Sequence, residues 1–163
     1  MQRQYRQRGF SLIEVLIVVS IILLLAAISI PSFLRSRMAA NEASAVSAIK
    51  TINTAQIGYA AAYPWLGYAD SLTKLGAPPA GNPPDSDHAG YLDWVLGCPA
   101  QPCPKSGYIF RIADLTGNPV ANFRVLAVPQ TVGVTGIRGF CSNQLSTITY
   151  DPDGGSNCTE DLQ

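Results

Sequence analysis

The sequence has little of what catalytic sites use. It holds a single histidine, His88, within the polar stretch Asp85-Ser-Asp-His-Ala-Gly90. A histidine in such a loop reads as solvated, not as a general base. There is no Gly-x-Ser-x-Gly elbow and no glycine-rich phosphate loop, and no constellation of nucleophile and base stands out. The formal net charge is zero, so no basic field points to nucleic acid. No internal repeat is apparent. Glycine and proline are both missing between Phe10 and Ile30, and the only polar residues there are Ser11, Glu14, Ser20 and Ser29.

That stretch of 21 residues is an unbroken apolar run. As a helix it would be roughly 30 Å long, the thickness of a bilayer's hydrocarbon core. A chain of 163 residues is near the size of one domain, and such a domain has no core able to surround this helix on all sides. The run therefore reads as membrane-spanning. Residues 1–9 carry Arg3, Arg6 and Arg8 and no acid, while the rest holds 8 basic and 11 acidic side chains. By the positive-inside rule the N-terminus stays in the cytoplasm and the remainder faces outward. A secretory signal also has a basic start and an apolar stretch, but it is shorter and closes on small residues at a cleavage site. Here Ala26 and Ala27 lie within the run, and Ile30-Pro-Ser-Phe33 follows it, so the run is expected to be retained.

Beyond Pro31 a helical period continues. Met38, Glu42, Ala45, Ile49, Ile52, Gln56, Tyr59 and Tyr63 recur at steps of four and three, which makes one mostly apolar face. Arg35, Arg37, Lys50 and Asn53 fall off this stripe and are expected in solvent. Pro64 ends the pattern. The reading is one helix from about Phe10 to Tyr63, roughly 80 Å long, apolar all round in its first half and amphipathic in its second. Pro31 removes a backbone hydrogen bond and should kink or loosen it.

Residues 64–106 are rich in proline and glycine, which suits a long connection. Asp70 to Gly76 reads as a short helix with an Asp N-cap and a Gly terminator, and Tyr91 to Leu96 as another helical turn. The stretch 77–87 should be exposed loop. Then the period becomes two. Gly107–Ala113 places Tyr108, Phe110 and Ile112 on one face, and Phe123–Val128 is apolar on both faces. Ile137–Cys141 and Ser146–Tyr150 are shorter strand candidates. Turn residues separate the strands, so an antiparallel meander is expected. The helix stripe is the one large apolar surface available to cover it. The fold class is α+β: a long N-terminal helix packed on a small antiparallel sheet.

Four cysteines, Cys98, Cys103, Cys141 and Cys158, lie in the part expected outside the cytoplasm and read as two disulfides. Of the three pairings, the most local joins Cys98 to Cys103 and Cys141 to Cys158. A zinc site shared by the four is disfavoured in an oxidising compartment. Asp151, Asp153, Glu160 and Asp161 have oxygen ligands that suit calcium, but an Asp-Pro-Asp-Gly turn with a polar tail is the preferred reading, so no metal and no cofactor is expected. Asn157-Cys-Thr159 fits a glycosylation sequon and is assigned no role.

The stretch Gly9-Phe-Ser-Leu-Ile-Glu14, after a basic leader and before an apolar run, resembles the prepilin signature of type IV pilins and type II secretion pseudopilins. Pro31, the Ala-rich amphipathic half-helix and "GVTGIRGFCSNQ" are similar to pilins as well. The resemblance implies that a prepilin peptidase in the bacterial inner membrane cuts between Gly9 and Phe10 and methylates the new amine of Phe10. It also implies that subunits leave the bilayer and pack helix to helix into a homopolymer, or one with related pilins, with the help of pilus assembly machinery. Three segments follow: a cleaved leader (1–9), a transmembrane and assembly helix (10–30), and a periplasmic or extracellular globular domain (31–163) that includes the second half of the helix. The precursor would be single-pass with a cytoplasmic N-terminus, and the product an extracellular filament. Many pilins carry a helix-loosening glycine in the apolar half. This chain has none, so local melting would fall to Pro31 alone.

Glu14 has a role in that picture. It lies about 6 Å along a helix from Phe10, near enough to the interface for a bilayer to tolerate it. In the apolar core of a filament it would need a counter-charge, and the amine of a neighbour's Phe10 supplies one. The expected function is a structural filament subunit, not an enzyme, of the kind that serves adhesion, twitching motility or DNA uptake. The alternative is a pseudopilin of a secretion system. No direct nucleic-acid site is evident, and no site supports a tethered enzyme or receptor.

Overall fold

A computed structural model describes residues 10–162. The basic leader and Gly9 lie outside the described residues. The chain divides into two units, Met1–Ser36 and Arg37–Gln163.

Helix α1 runs unbroken over Leu12–Ala62, 51 residues. Glycine-free and rich in Leu and Ile at its start, it has nothing to interrupt it before Pro31, and the helix continues through that proline. Pro31 has no N–H to offer the Ala27 carbonyl. Within the second unit the expected stripe is the buried one. Glu42, Ala45, Ile49, Ile52, Gln56 and Tyr59 are buried, and Met38 and Tyr63 half-buried. The buried face is wider than the stripe, since Ala48, Asn53 and Ala55 are also buried. Asn53, expected in solvent, instead donates to Ser142 Oγ at 2.7 Å.

Six strands follow: β1 (Cys103–Lys105), β2 (Tyr108–Thr116), β3 (Asn122–Pro129), β4 (Gly139–Asn143), β5 (Ile148–Asp151) and β6 (Glu160–Asp161). They form one sheet in the order β1-β2-β3-β4-β5-β6, antiparallel at every pair. This is the expected meander with two further edge strands, of three and two residues. Such strands are too short to show a period. Tyr108, Phe110 and Ile112 of β2, Val125 and Ala127 of β3 and Phe140 of β4 form one core with Ile49, Ile52 and Tyr59 of α1. Cys141 and its register partner Leu126 alternate with these core residues and face away from α1.

The long connection is held by polar pins. Buried Gln56 accepts the Ala69 N–H at 2.8 Å and donates to the Ala69 carbonyl at 2.9 Å. Tyr59 donates to the Ser86 carbonyl. The short helix α2 is Leu72–Leu75, with Ser71 at its N-cap position and no capping side chain. Asp70 does not cap it and instead pairs with Lys74 at 2.9 Å. Tyr91–Leu96 is not helical. Asp93 closes a turn there, its carboxylate accepting the Leu96 N–H and its carbonyl the Gly97 N–H. Gly76 and Gly97 touch backbone to backbone, and a Cβ on either would strike the other.

Candidate assembly site

The helix start is built by Ser11, whose carbonyl accepts the Glu14 N–H at 3.1 Å and the Val15 N–H at 3.3 Å. Phe10 precedes the helix and is 82% exposed. Glu14 lies in the first turn, where a carboxylate suits the exposed N–H groups and dipole. Over the first unit the large apolar side chains of α1 are exposed among the described residues. Ile13, Leu16, Ile22, Leu24 and Ile28 are all exposed, and none of the 18 residues in the most apolar window of α1 is buried. An apolar surface this long, unpartnered in a monomer, calls for lipid or for other helices.

The second unit carries a charged clasp. Arg138 donates from Nε (2.9 Å) and a terminal nitrogen (2.7 Å) to Glu42 Oε2. Glu42 Oε1 accepts the backbone N–H groups of Ile137 (2.9 Å) and Arg138 (3.2 Å). Burial pushes the Glu42 carboxyl up, but these hydrogen bonds and the guanidinium charge outweigh it and hold the group below its ordinary value. The guanidinium also lies 5.5 Å from the Phe140 ring centroid and 5.3 Å from that of Tyr150. Tyr108 donates to the Arg138 carbonyl at 2.8 Å, and a Cβ on Gly136 would strike the Tyr108 hydroxyl. Sequence reasoning placed Glu42 on the packed face and missed its partner. The available signal was the carboxylate itself, since a charge on a buried face demands a cation.

The cysteines pair as the most local reading expected: Cys98 with Cys103 and Cys141 with Cys158. No described cysteine is free, so the zinc reading fails. The four acidic residues are not gathered into a metal site. Asp151 is buried and accepts the Asp153 and Asn157 N–H groups, each at 3.0 Å, while Glu160 and Asp161 stand on β6. Among the described residues no group of three His, Cys, Asp or Glu side chains could hold a metal ion.

A family profile described as the prokaryotic N-terminal methylation motif matches residues 4–30. The chain is 40% identical over 78 residues to the type IV major pilin protein PilA of Myxococcus xanthus (strain DK1622), over 47% of this chain and 34% of that protein. The match thus spans about a third of that curated relative's length. No solved structure matches significantly. The chain thus carries the prokaryotic N-terminal methylation motif together with an apolar helix and an α+β fold, and part of it is similar to a type IV major pilin.

Proposed function

We propose that the chain is a structural subunit of a type IV pilus. It is made as a membrane-anchored precursor, trimmed and methylated at Phe10 by a prepilin peptidase, and polymerised through α1 into an extracellular filament. The observation that carries this is the methylation motif over residues 4–30, together with a helix whose most apolar window is wholly unburied among the described residues. The bilayer covers that surface in the precursor, and neighbouring helices cover it in the filament. In this reading the subunit acts by packing. Such a filament would serve adhesion, motility or DNA uptake.

Glu14 is the assembly residue in this reading, and Pro31 the point where the helix gives. An amine on Phe10 entering an apolar filament core needs a counter-charge, and a carboxylate on the neighbour provides it. Removing one member of a buried pair costs about 3–5 kcal/mol. Glu14→Ala and Glu14→Gln should therefore insert and be processed as the parent is, yet accumulate in the membrane. The measured quantity is the ratio of sheared surface filament to membrane-held mature chain. If both variants assemble like the parent, the charge-pair account of assembly is wrong.

A further inference from the structure

We infer that the groove between the start of the globular part of α1 and the C-terminal strand receives the Phe33–Leu34–Arg37 face of a second copy of this chain. The inference rests on the proposed filament function and names a contact surface within it.

Two concavities adjoin, sharing Arg138 and Leu162. One, of about 410 Å³, is floored by Ala39, Ala43 and Val46 beside the Glu42–Arg138 pair, with Phe140 buried beneath. The other, of about 580 Å³, opens towards Tyr150, Glu160 and Asp161. The groove is fixed in shape. The Cys141–Cys158 disulfide anchors the segment ahead of β6. Glu160 and Asp161 pair in register with Tyr150 and Thr149, and the Leu162 N–H donates to the Ile148 carbonyl at 3.1 Å. The one cation in the groove is already committed, since Arg138 is held by Glu42 at 2.7 Å. Glu160 and Asp161 are exposed, and no ion pair with them is found among the described residues. The result is an apolar floor with a negative rim.

A matching surface occurs on the same chain. Lys74, Lys105, Arg124 and Arg138 each have a carboxylate partner. Arg37, like Arg35, Lys50 and Arg111, is exposed and has none among the described residues, and of these it is the one that shares a helix face with an exposed apolar pair. Phe33, four residues before it, is 66% exposed, and Leu34, three before it, is 50% exposed. Helical spacing puts these residues on one face. That face offers an apolar pair for the floor and, one turn on, a guanidinium for the rim. Arg is suited to this because its planar fork meets carboxylates in two bonds. Knob and groove are different surfaces of one chain, so the contact is head-to-tail. Unless the rotation closes a ring, such a contact propagates as an open helical filament.

The test is charge exchange in the full chain, expressed where its filaments form. Arg37→Glu alone, and Glu160→Lys with Asp161→Lys, should each lower the ratio of surface filament to membrane-held subunit by about tenfold, because like charges then face each other. Combining all three substitutions should restore most of the loss. Phe33→Ala supplies an uncharged arm and should lower the ratio without being rescued by the rim reversal. Intact mass and both disulfides in the membrane-held chain show that the variants fold. Reversals that assemble like the parent, or a combination no better than the worse single arm, would overturn the inference. Loss from the rim reversal alone would mean that another partner occupies the groove, which also overturns it. Glu14→Ala, run alongside, separates the two claims: if it blocks filaments while the reversals do not, only the groove contact is wrong. A parent that forms no filament removes both.

Discussion

Glu42 of α1 and Arg138 of the β3–β4 connection, 96 residues apart in sequence, meet through two hydrogen bonds of 2.7 and 2.9 Å. The Glu42 side chain is 11% exposed and that of Arg138 41%, so the carboxylate is the buried partner and the guanidinium is half in water. With the Ile137 and Arg138 N–H groups also on Glu42, one carboxylate fastens the loop before β4 to the helix.

Truncating the cation tests that role. Arg138→Ala leaves Glu42 buried with two backbone donors and no counter-charge, and also removes a stack on Phe140 and Tyr150. The expected cost is about 1–3 kcal/mol, below the range for fully buried pairs because water already screens Arg138. Denaturant unfolding of the detergent-solubilised chain measures it. A variant within about 0.5 kcal/mol of the parent, the range of an ordinary surface change, would show that the clasp is idle.

The same contact predicts an acid limb. The Glu42 carboxyl is held below its ordinary value of 4.5 in the folded chain. A lowered folded-state value contributes stability that is complete above 4.5 and fades as falling pH protonates the folded carboxylate. The alkaline side has the opposite sign. Burial, with the charges of Asp70, Asp87 and Asp85 and nearby Tyr63, pushes Tyr59 from 10.0 up to about 12. Stability is then complete below pH 10 and lost as pH rises towards 12, where only the unfolded tyrosine ionises easily. Unfolding midpoints against pH for the parent, Glu42→Gln and Tyr59→Phe should show each variant less stable at neutral pH but flatter on its own limb. Unchanged limbs would refute the assignment.

Much of this fold was legible in the sequence, for reasons that also explain what was not. The 3.6 period from Met38 to Tyr63 marked the packed face because one element had to cover a whole sheet. The period understated the width of that face, so Asn53 was misplaced: it is buried, with its amide nitrogen donating to Ser142 on β4. Period two revealed β2 and β3, which are nine and eight residues long. It could not reveal β1 and β6, whose pairing is set by neighbours and by the nearby disulfides. Asp70 and Tyr91–Leu96 were misread because local propensity is weak beside tertiary partners, here Lys74 and the turn-closing Asp93. In the candidate site, Glu14 stands out as a charge in an apolar run, and its assembly role is the proposal made above. Arg138 could not, because nothing local ties it to Glu42.

The two disulfides should differ in weight. Cys98–Cys103 spans a separation of five residues and Cys141–Cys158 one of 17. The chain-entropy account assigns about 2 kcal/mol to the first and about 3 kcal/mol to the second. The second also secures β6, so Cys141→Ser with Cys158→Ser should cost more and should loosen the Glu160–Leu162 segment. Hydrogen exchange of the Leu162 amide, together with unfolding midpoints, reads both effects. A larger loss from Cys98→Ser with Cys103→Ser would contradict this ranking.

Processing is the prediction closest to function. The leader holds Arg3, Arg6 and Arg8, charges that favour the cytoplasm and would be costly to carry through a bilayer or into an apolar filament core. Removing the leader after Gly9 takes those three charges away and leaves a single amine, on Phe10, beside the exposed start of α1. Methylation keeps that amine basic, so it can still serve as the counter-charge to a neighbour's Glu14. Intact-mass analysis of sheared filaments should therefore give a chain beginning at Phe10 and heavier by one methyl group. Gly9→Val should block the cut by placing a branched side chain at the junction, and the uncut chain should stay in the membrane with its fold and both disulfides intact. A filament subunit that retains Arg8, or one cut after Ala27, would refute the processing scheme and the filament assembly that depends on it.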